Sequence, residues 1–413
     1  MWEQIRSNQT KSAVLVVLMG VLLLALGYFL GLIFFDSAIG GLIIALIIWG
    51  VMNLVAFFQG DSILLGMSGA RKIKPSDHPR LYNIVEEMKI ASGLEKMPDI
   101  YIIDDPALNA FATGRDPNRA SVAITSGLLQ KLNRDELQGV IGHEIAHIKN
   151  RDVLLMVLLS VLLGSIVILA WYASRYMFLA GGGRRSSSGG GGGAGIIIIV
   201  VGLILMILAP IAAQLIYYAV SRKREYLADA SSALYTRYPE GLASALEKLA
   251  TSGTSVRAAN KATAPMYIVN PFHKKGMSLE SLTSTHPPIA ERVRILRAMA
   301  GASLTDYEQA YQKARGGAGV IPATALALDG INPTALRAPS AETKPVEDLP
   351  QRIERARETS GLVWQLNDYQ TIPCECGTTL RIPPNFPLPS IKCPHCGKVN
   401  YIVHDSRPLA PKG

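Results

Sequence analysis

Four runs without a charged side chain dominate the pattern of hydrophobic and polar positions. Residues 12–35 form the first, and residues 37–60 follow after Asp36 alone. Residues 153–174 lie between Asp152 and Arg175, and residues 196–220 between a glycine tract and Arg222. A bilayer core takes about 20 residues of helix, so each run predicts a membrane span and the first two predict a tight hairpin. The first run is too long for a signal-peptide core, and no small-residue cleavage site precedes Asp36. Between the second and third runs the pattern becomes that of a soluble α+β segment. Leu81, Ile84, Val85 and Met88 recur at helical spacing between His78 and Gly93. Residues 99–104, 109–112 and 120–124 read as short strands of a small sheet, followed by helices over 127–133 and from about 133–136 onward. Residues 301–350 are rich in Ala, Pro and Gly without sustained periodicity and read as a linker.

Composition agrees with a membrane protein carrying soluble parts, since 49% of the 413 residues are hydrophobic and only 18% charged. The net charge of +9 comes from basic residues that are scattered or flank the apolar runs, which argues for membrane-flanking charge and against nucleic acid. Orientation follows from where they fall. Arg6, Lys11, Arg71, Lys72, Lys74, Lys149, Arg151, Arg222, Lys223 and Arg224 share one side, against Arg175, Arg184 and Arg185 on the other. The first side is then cytoplasmic and holds residues 61–152 and everything after 220. The Gly-rich loop 181–195 has few side chains to pack and reads as a flexible external linker.

The candidate chemistry centres on His143, Glu144 and His147. On a helix, positions i and i+4 share a face, so both imidazoles can reach one tetrahedral Zn²⁺. Glu144 then lies beside the open coordination position, where a carboxylate can take a proton from metal-bound water. The bland alternative, a buried helix with two histidines by accident, weakens once later residues are added. Glu225 and Asp229 are four apart on a helix among Tyr226, Leu227 and alanines, which argues for burial. Glu225 can supply a third ligand, and Asp229 can accept the other ring N–H of a ligating histidine. His286, ahead of Pro287 and Pro288, reads on its own as a surface histidine before a helix start. All four cysteines lie in the last 40 residues. Cys374, Cys376, Cys393 and Cys396 form two knuckles, each followed by glycine, and suit a closed structural zinc site in a reducing compartment.

These motifs together make the chain, over roughly residues 12–300, resemble the HtpX family of membrane-integrated zinc endopeptidases, gluzincins related to the CAAX prenyl proteases. The residues that carry the resemblance are Asn109, Ala110, Phe111 and Ala112; His143, Glu144 and His147 with Asn150 and Asp152; Glu225 and Asp229; and Thr285, His286, Pro287 and Pro288 with Arg292. The resemblance implies that His143, His147 and Glu225 bind zinc and that Glu144 is the general base. It implies that Asn109 to Ala112 form an edge strand that pairs with extended substrate, and that His286 stabilises the oxyanion. The C-terminal extension and the long glycine tract depart from the family pattern.

The expected fold class is a multi-pass membrane α-helical protein with a mostly helical α+β zincin catalytic domain and a small C-terminal zinc ribbon. Its domains read as a transmembrane hairpin (1–60), the first part of the protease domain (61–152), a second transmembrane pair (153–220), the second part of the protease domain (221–300), the linker (301–350) and the ribbon (351–413). The expected function is zinc-dependent endoproteolysis at the cell membrane with the catalytic domain and C-terminus cytoplasmic. Misfolded membrane proteins are its expected substrates, in quality control. It would hold one catalytic and one structural zinc, with a protein partner for the ribbon. Processing of lipidated C-termini is the alternative enzyme, and a membrane-tethered scaffold with an idle protease domain is the alternative of another class.

Overall fold

A computed structural model of the protein describes residues 2–153, 156, 164, 166–171, 175, 192–257, 259, 266–269, 286–317, 319–329, 334–341 and 349–402. The chain divides into two compact units, residues 1–348 and 349–413.

The first two uncharged runs lie on helices α1 (Trp2–Phe35) and α2 (Ala38–Met67). Only Asp36 and Ser37 separate them. Asp36 takes a left-handed φ of 51°, and the Ser37 side chain caps α2 by accepting from the Gly40 N–H. Small residues let the backbones approach, for a Cβ on Gly31 would sit 2.6 Å from Gly41 Cα. The outer faces of the pair expose Val14, Val17, Val21, Ile39, Ile43 and Ile47. Among the described residues one helix is apolar enough over 18 residues to cross a membrane, at Ala38–Val55. Most of the expected third span, residues 153–174, and residues 181–191 of the glycine loop lie outside the described residues. The expected fourth span falls within α6 (Gly192–Thr236), a helix of 45 residues with Pro210 inside it.

The soluble segment follows the sequence pattern closely. Helix α3 (Pro79–Ser92) begins at His78, whose ring accepts from the Leu81 N–H, and stops at Gly93 with φ 68°. Strands β2 (Asp99–Ile103), β3 (Ala110–Gly114) and β4 (Ala120–Thr125) join β1 (Ala70–Lys72) in a mixed sheet of order β1-β2-β4-β3. β2 and β4 run parallel, and the outer pairs are antiparallel. β1 had no sequence signal, because three residues with an exposed Arg71 and Lys72 show no apolar alternation. β3 lies at the sheet edge, starting one residue and ending two residues later than the expected 109–112.

Short helix α4 (Ser126–Lys131) leads to α5 (Arg134–Lys149), the centre of the unit. Asn133 and Glu136 form a capping box at its start. Glycines bring its neighbours close: a Cβ on Gly139 would lie 2.6 Å from Leu242 N of α7 (Pro239–Thr251). Ser232 of α6 donates to the Gly139 carbonyl at 2.7 Å. Helix α8 (Ile289–Arg297) closes the core and buries Arg292 completely.

The expected linker 301–350 departs from its reading. It holds α9 (Leu304–Arg315), started by a Ser303–Asp306 capping box, and α10 (Ala323–Asp329). Leu304, Tyr307, Glu308 and Tyr311 bury one face of α9, a helical spacing masked in sequence by the surrounding Ala, Gly and Pro. Residues 334–340 are pinned to the catalytic half by Arg337, described below. The second unit opens with α11 (Leu349–Leu366), followed by hairpins β5–β6 (Gln370–Pro373 with Thr379–Ile382) and β7–β8 (Ser390–Lys392 with Val399–Tyr401).

Candidate metal centre and active site

Helix α5 points His143 and His147 toward α6, which supplies Glu225. The Nε2 atoms of the two histidines are 3.2 Å apart. Glu225 Oε2 lies 3.5 Å from His143 Nε2, and Oε1 3.4 Å from His147 Nε2. Donors about 2.1 Å from a tetrahedral zinc stand about 3.3–3.4 Å apart, so the two imidazole nitrogens and the Glu225 carboxylate have the spacing of one face of such a tetrahedron. Glu225 Oε2 is buried without a hydrogen bond among the described residues, which suits an oxygen reserved for a cation.

Each histidine is braced from behind by a carboxylate, and each carboxylate by an arginine. His143 Nδ1 lies 3.0 Å from Asp229 Oδ1, and Arg292 grips Asp229 with two bonds of 2.7 and 2.8 Å. His147 Nδ1 lies 3.2 Å from Asp152 Oδ2, and Arg224 lies 3.0 Å from Asp152 Oδ1. A carboxylate at Nδ1 keeps the proton there and turns the Nε2 lone pair toward the centre. Asp152 and Arg224 had no assigned role in the sequence. Helical spacing could not find Asp152, because the chain leaves α5 at Asn150 and turns back through Arg151 at φ 57°.

The electrostatics favour positive charge at the centre. Burial disfavours an imidazolium at His147, but Asp152 and Glu225 outweigh it and push the ring up to about 10. Burial likewise opposes the charged form of His143, and Asp229 and Glu225 raise it. Glu225 is held well below the usual carboxylate range, with burial overcome by His286, His143 and His147. A field that favours protons here also favours a divalent cation, whose binding would release them.

Glu144 is buried beside the three donors, and burial raises its pKa above the ordinary carboxylate value. The Ala112 backbone bonds its carboxyl group, linking the candidate base to the edge strand. Its Oε1 has no hydrogen-bond partner among the described residues. Ala112, Glu144, His147, Glu225 and Met266 line one open cleft. The edge is only partly available. Ile268 N–H donates to the Ala110 carbonyl at 3.0 Å, and Asn109 Nδ2 donates to the Val269 carbonyl. Asn109 and Ala110 are therefore covered by residues 268–269, Phe111 is buried in the core beside Tyr267, and Ala112, itself buried, is the strand residue that lines the cleft.

His286 is 5% exposed, which overturns its reading as a surface residue. It bonds the Tyr267 backbone, and burial lowers its pKa, so the ring is favoured neutral.

The four cysteines meet in the second unit. Sγ atoms of Cys374 and Cys396 are 3.6 Å apart and those of Cys376 and Cys393 3.7 Å. All four lie within 4.8 Å of one another. Thiolates on a tetrahedral zinc, about 2.3 Å from it, stand about 3.8 Å apart. Gly377 and Gly397, at φ 83° and 78°, turn the two knuckles. The Cys376 thiol is pulled down to about 5, chiefly by its hydrogen bond with Thr378.

The sequence model of peptidase family M48 matches residues 75–300. A protease HtpX homolog of Streptococcus pneumoniae (strain Hungary19A-6) is 44% identical over 301 residues, covering 72% of this chain and 100% of the relative. One from Dictyoglomus turgidum is 45% identical over 298 residues, covering 72% and 94%. A crystal structure of S. mikatae Ste24p shares 21% identity at a TM-score of 0.40, covering 72% of this chain and 67% of that one.

Proposed function

The chain belongs to peptidase family M48 and is an HtpX-like metalloprotease, and from that premise we propose that His143, His147 and Glu225 hold its catalytic zinc. The observation that carries this assignment is the close approach of the two imidazole nitrogens and the Glu225 carboxylate, with buried Glu144 beside them. Bound there, zinc supplies Lewis acidity to the scissile carbonyl and to the attacking water. Glu144 takes the proton from that water and passes it to the leaving amine, a task that its raised pKa suits. Asp229 with Arg292 and Asp152 with Arg224 fix the two histidine rings. Substrate lies extended along β3 from Ala112 onward, held by main-chain bonds. His286 donates to the oxyanion. Its one N–H in the neutral ring already bonds the Tyr267 backbone, so this role requires the ring to take up a second proton as the oxyanion forms.

The protease acts at a membrane. In support, α2 carries an 18-residue apolar window with 11% of it buried, and α6 spans about 68 Å, roughly twice a bilayer core. Residues 12–35, 37–60, 153–174 and 196–220 are the four spans, and the site lies at the cytoplasmic surface. Misfolded membrane proteins are the substrates. The four cysteines hold a second, structural zinc.

The test separates ligands from base. Glu144→Gln and His286→Ala should keep the zinc of the purified protein, the first abolishing casein cleavage and the second lowering kcat by about 10²–10³. Glu225→Ala should lose that zinc. Equal metal loss in all three, or cleavage indifferent to a chelator, would refute the assignment.

A further inference from the structure

Beside the catalytic cleft, and sharing Val153 with it, lies a small pocket lined by Thr113, Gly114, Arg115, Asp116 and Arg151. Two of these side chains are cationic. Arg115 stacks 5.8 Å from the rings of both Phe57 and Phe58, which holds its guanidinium in place. Arg151 follows α5 directly, and its φ of 57° fixes the turn that returns Asp152 to His147. Among the described residues no carboxylate forms an ion pair with Arg151. Asp116 lies 3.7 Å from Arg115, but its carboxylate also accepts from the Asn118 N–H and so serves the turn. The pocket keeps a net positive charge. Its one neutral polar side chain is Thr113, whose hydroxyl is completely buried and has no hydrogen-bond partner among the described residues. A buried hydroxyl left unpaired costs about 1–3 kcal/mol, which an incoming acceptor would recover.

The position of the pocket says what would enter it. Ala112 bonds the candidate base Glu144; Gly114, two residues on, ends the same strand, and Arg115 follows it directly. At about 3.3 Å per residue, a peptide lying against β3 reaches the pocket about 7–10 Å from the scissile bond. We propose that Thr113, Arg115 and Arg151 form a specificity subsite for a substrate carboxylate two or three residues from the scissile bond. The proposal rests on the substrate path along β3 given above. An acidic side chain supplies the carboxylate. The terminal carboxylate of a peptide ending there offers the same chemistry.

The test uses the full-length zinc-loaded protein in nanodiscs and fluorogenic peptides identical but for Glu or Gln two or three residues from the scissile bond. The wild type should prefer a Glu peptide over its Gln partner by about tenfold in kcat/KM, mainly through KM. Arg151→Gln and Thr113→Val should each reduce that ratio, and Arg115→Gln with Arg151→Gln should bring it near one. Reading a ratio cancels any general loss of folded protein, and exposed Arg151 gives an arm that spares the Phe57 contact. Amidated and free-acid peptides separate the two sources: a preference for the free acid, removed by the same substitutions, assigns the pocket to the chain terminus. Cleavage of the Gln peptide, absent in Glu144→Gln, reports the peptidase assignment separately from the subsite. A Glu/Gln ratio near one in the wild type, or one unchanged by the substitutions, overturns the proposal. So does an effect of the substitutions on phosphatidylglycerol dependence alone, which would make the pocket a headgroup site.

Discussion

Asp152 and Asp229 stand behind the two candidate histidine ligands in matching positions, yet their surroundings differ. Asp229 and Arg292 are fully buried, and Arg292 also lies 3.4 Å from Glu225. Removing either of these partners leaves a buried charge uncompensated, typically at about 3–5 kcal/mol, so folding and metal binding would be lost together. Asp152 and Arg224 are also buried, but both line the open cleft, where water can reach Arg224 once its partner is removed, so the loss of Asp152 can be read without collapse. Asp152→Ala should weaken zinc affinity about 10–100-fold, measured by competition with a chromogenic chelator, while the thermal midpoint of the zinc-free protein changes little. An unchanged affinity would show that His147 needs no such partner. The sequence made His143, Glu144 and His147 legible because their chemistry depends on one-turn spacing. Glu225 and Asp229 were legible through the same spacing set among apolar neighbours. Asp152, Arg224 and the burial of His286 were not, because they depend on a left-handed turn at Arg151 and on packing between segments more than 50 residues apart.

Among the elements, the segment 334–340 lies beyond the region matched by the family, yet it is tied to both ligand-bearing helices. Arg337 donates to Asp135 at 2.6 Å and Gln138 at 2.7 Å, both on α5, and to the Thr236 carbonyl at the end of α6 at 2.8 Å. Its guanidinium also lies 4.9 Å over Tyr238, and the Ser340 N–H donates to the other oxygen of Asp135. A planar fork is needed to reach three acceptors at once, which lysine lacks. Arg337→Ala should therefore lower the thermal midpoint by about 2–4 °C, and Arg337→Lys should restore only part of it. Full recovery by lysine would mean that charge alone matters. The pattern of apolar positions gave α3, β2, β4 and α5 nearly to the residue, since the helices have defined caps and the strands are short apolar runs. It missed β1 and α10, which are too short to show a period, and α9, whose apolar face is set among Ala, Gly and Pro. The Arg337 contacts join positions about 200 residues apart, and no local pattern encodes them.

For the whole molecule, the site needs α5 and the end of α6 that carries Glu225 on one side of the bilayer. Reporters inserted near residue 75 and fused after residue 220 should both read cytoplasmic, and one near residue 190 the far side. A split between the first two would separate His143 from Glu225 and end the proposal of a shared site.

The same scale raises whether the two candidate zinc sites depend on each other. His143, His147 and Glu225 offer three donors within residues 1–348, whereas the four cysteines lie together within residues 349–413, each set in its own compact unit. Three donors leave a coordination position open for chemistry, and four thiolates close theirs. The cysteine unit has a small apolar centre of Cys374, Leu380 and Cys393 with Ile391 against it. So small a core cannot offset the ordering of two hairpins without a metal. Replacing Cys393 and Cys396 by Ser should remove one zinc per chain in metal analysis and unfold the hairpins, seen as rapid proteolysis after residue 366. Cleavage of a short unstructured peptide should persist at near wild-type kcat/KM, because all three candidate catalytic ligands and Glu144 lie in the other unit. A wild-type content of one zinc, or loss of peptide cleavage in the double variant, would show that the cysteine unit is part of the catalytic machinery and not an independent accessory.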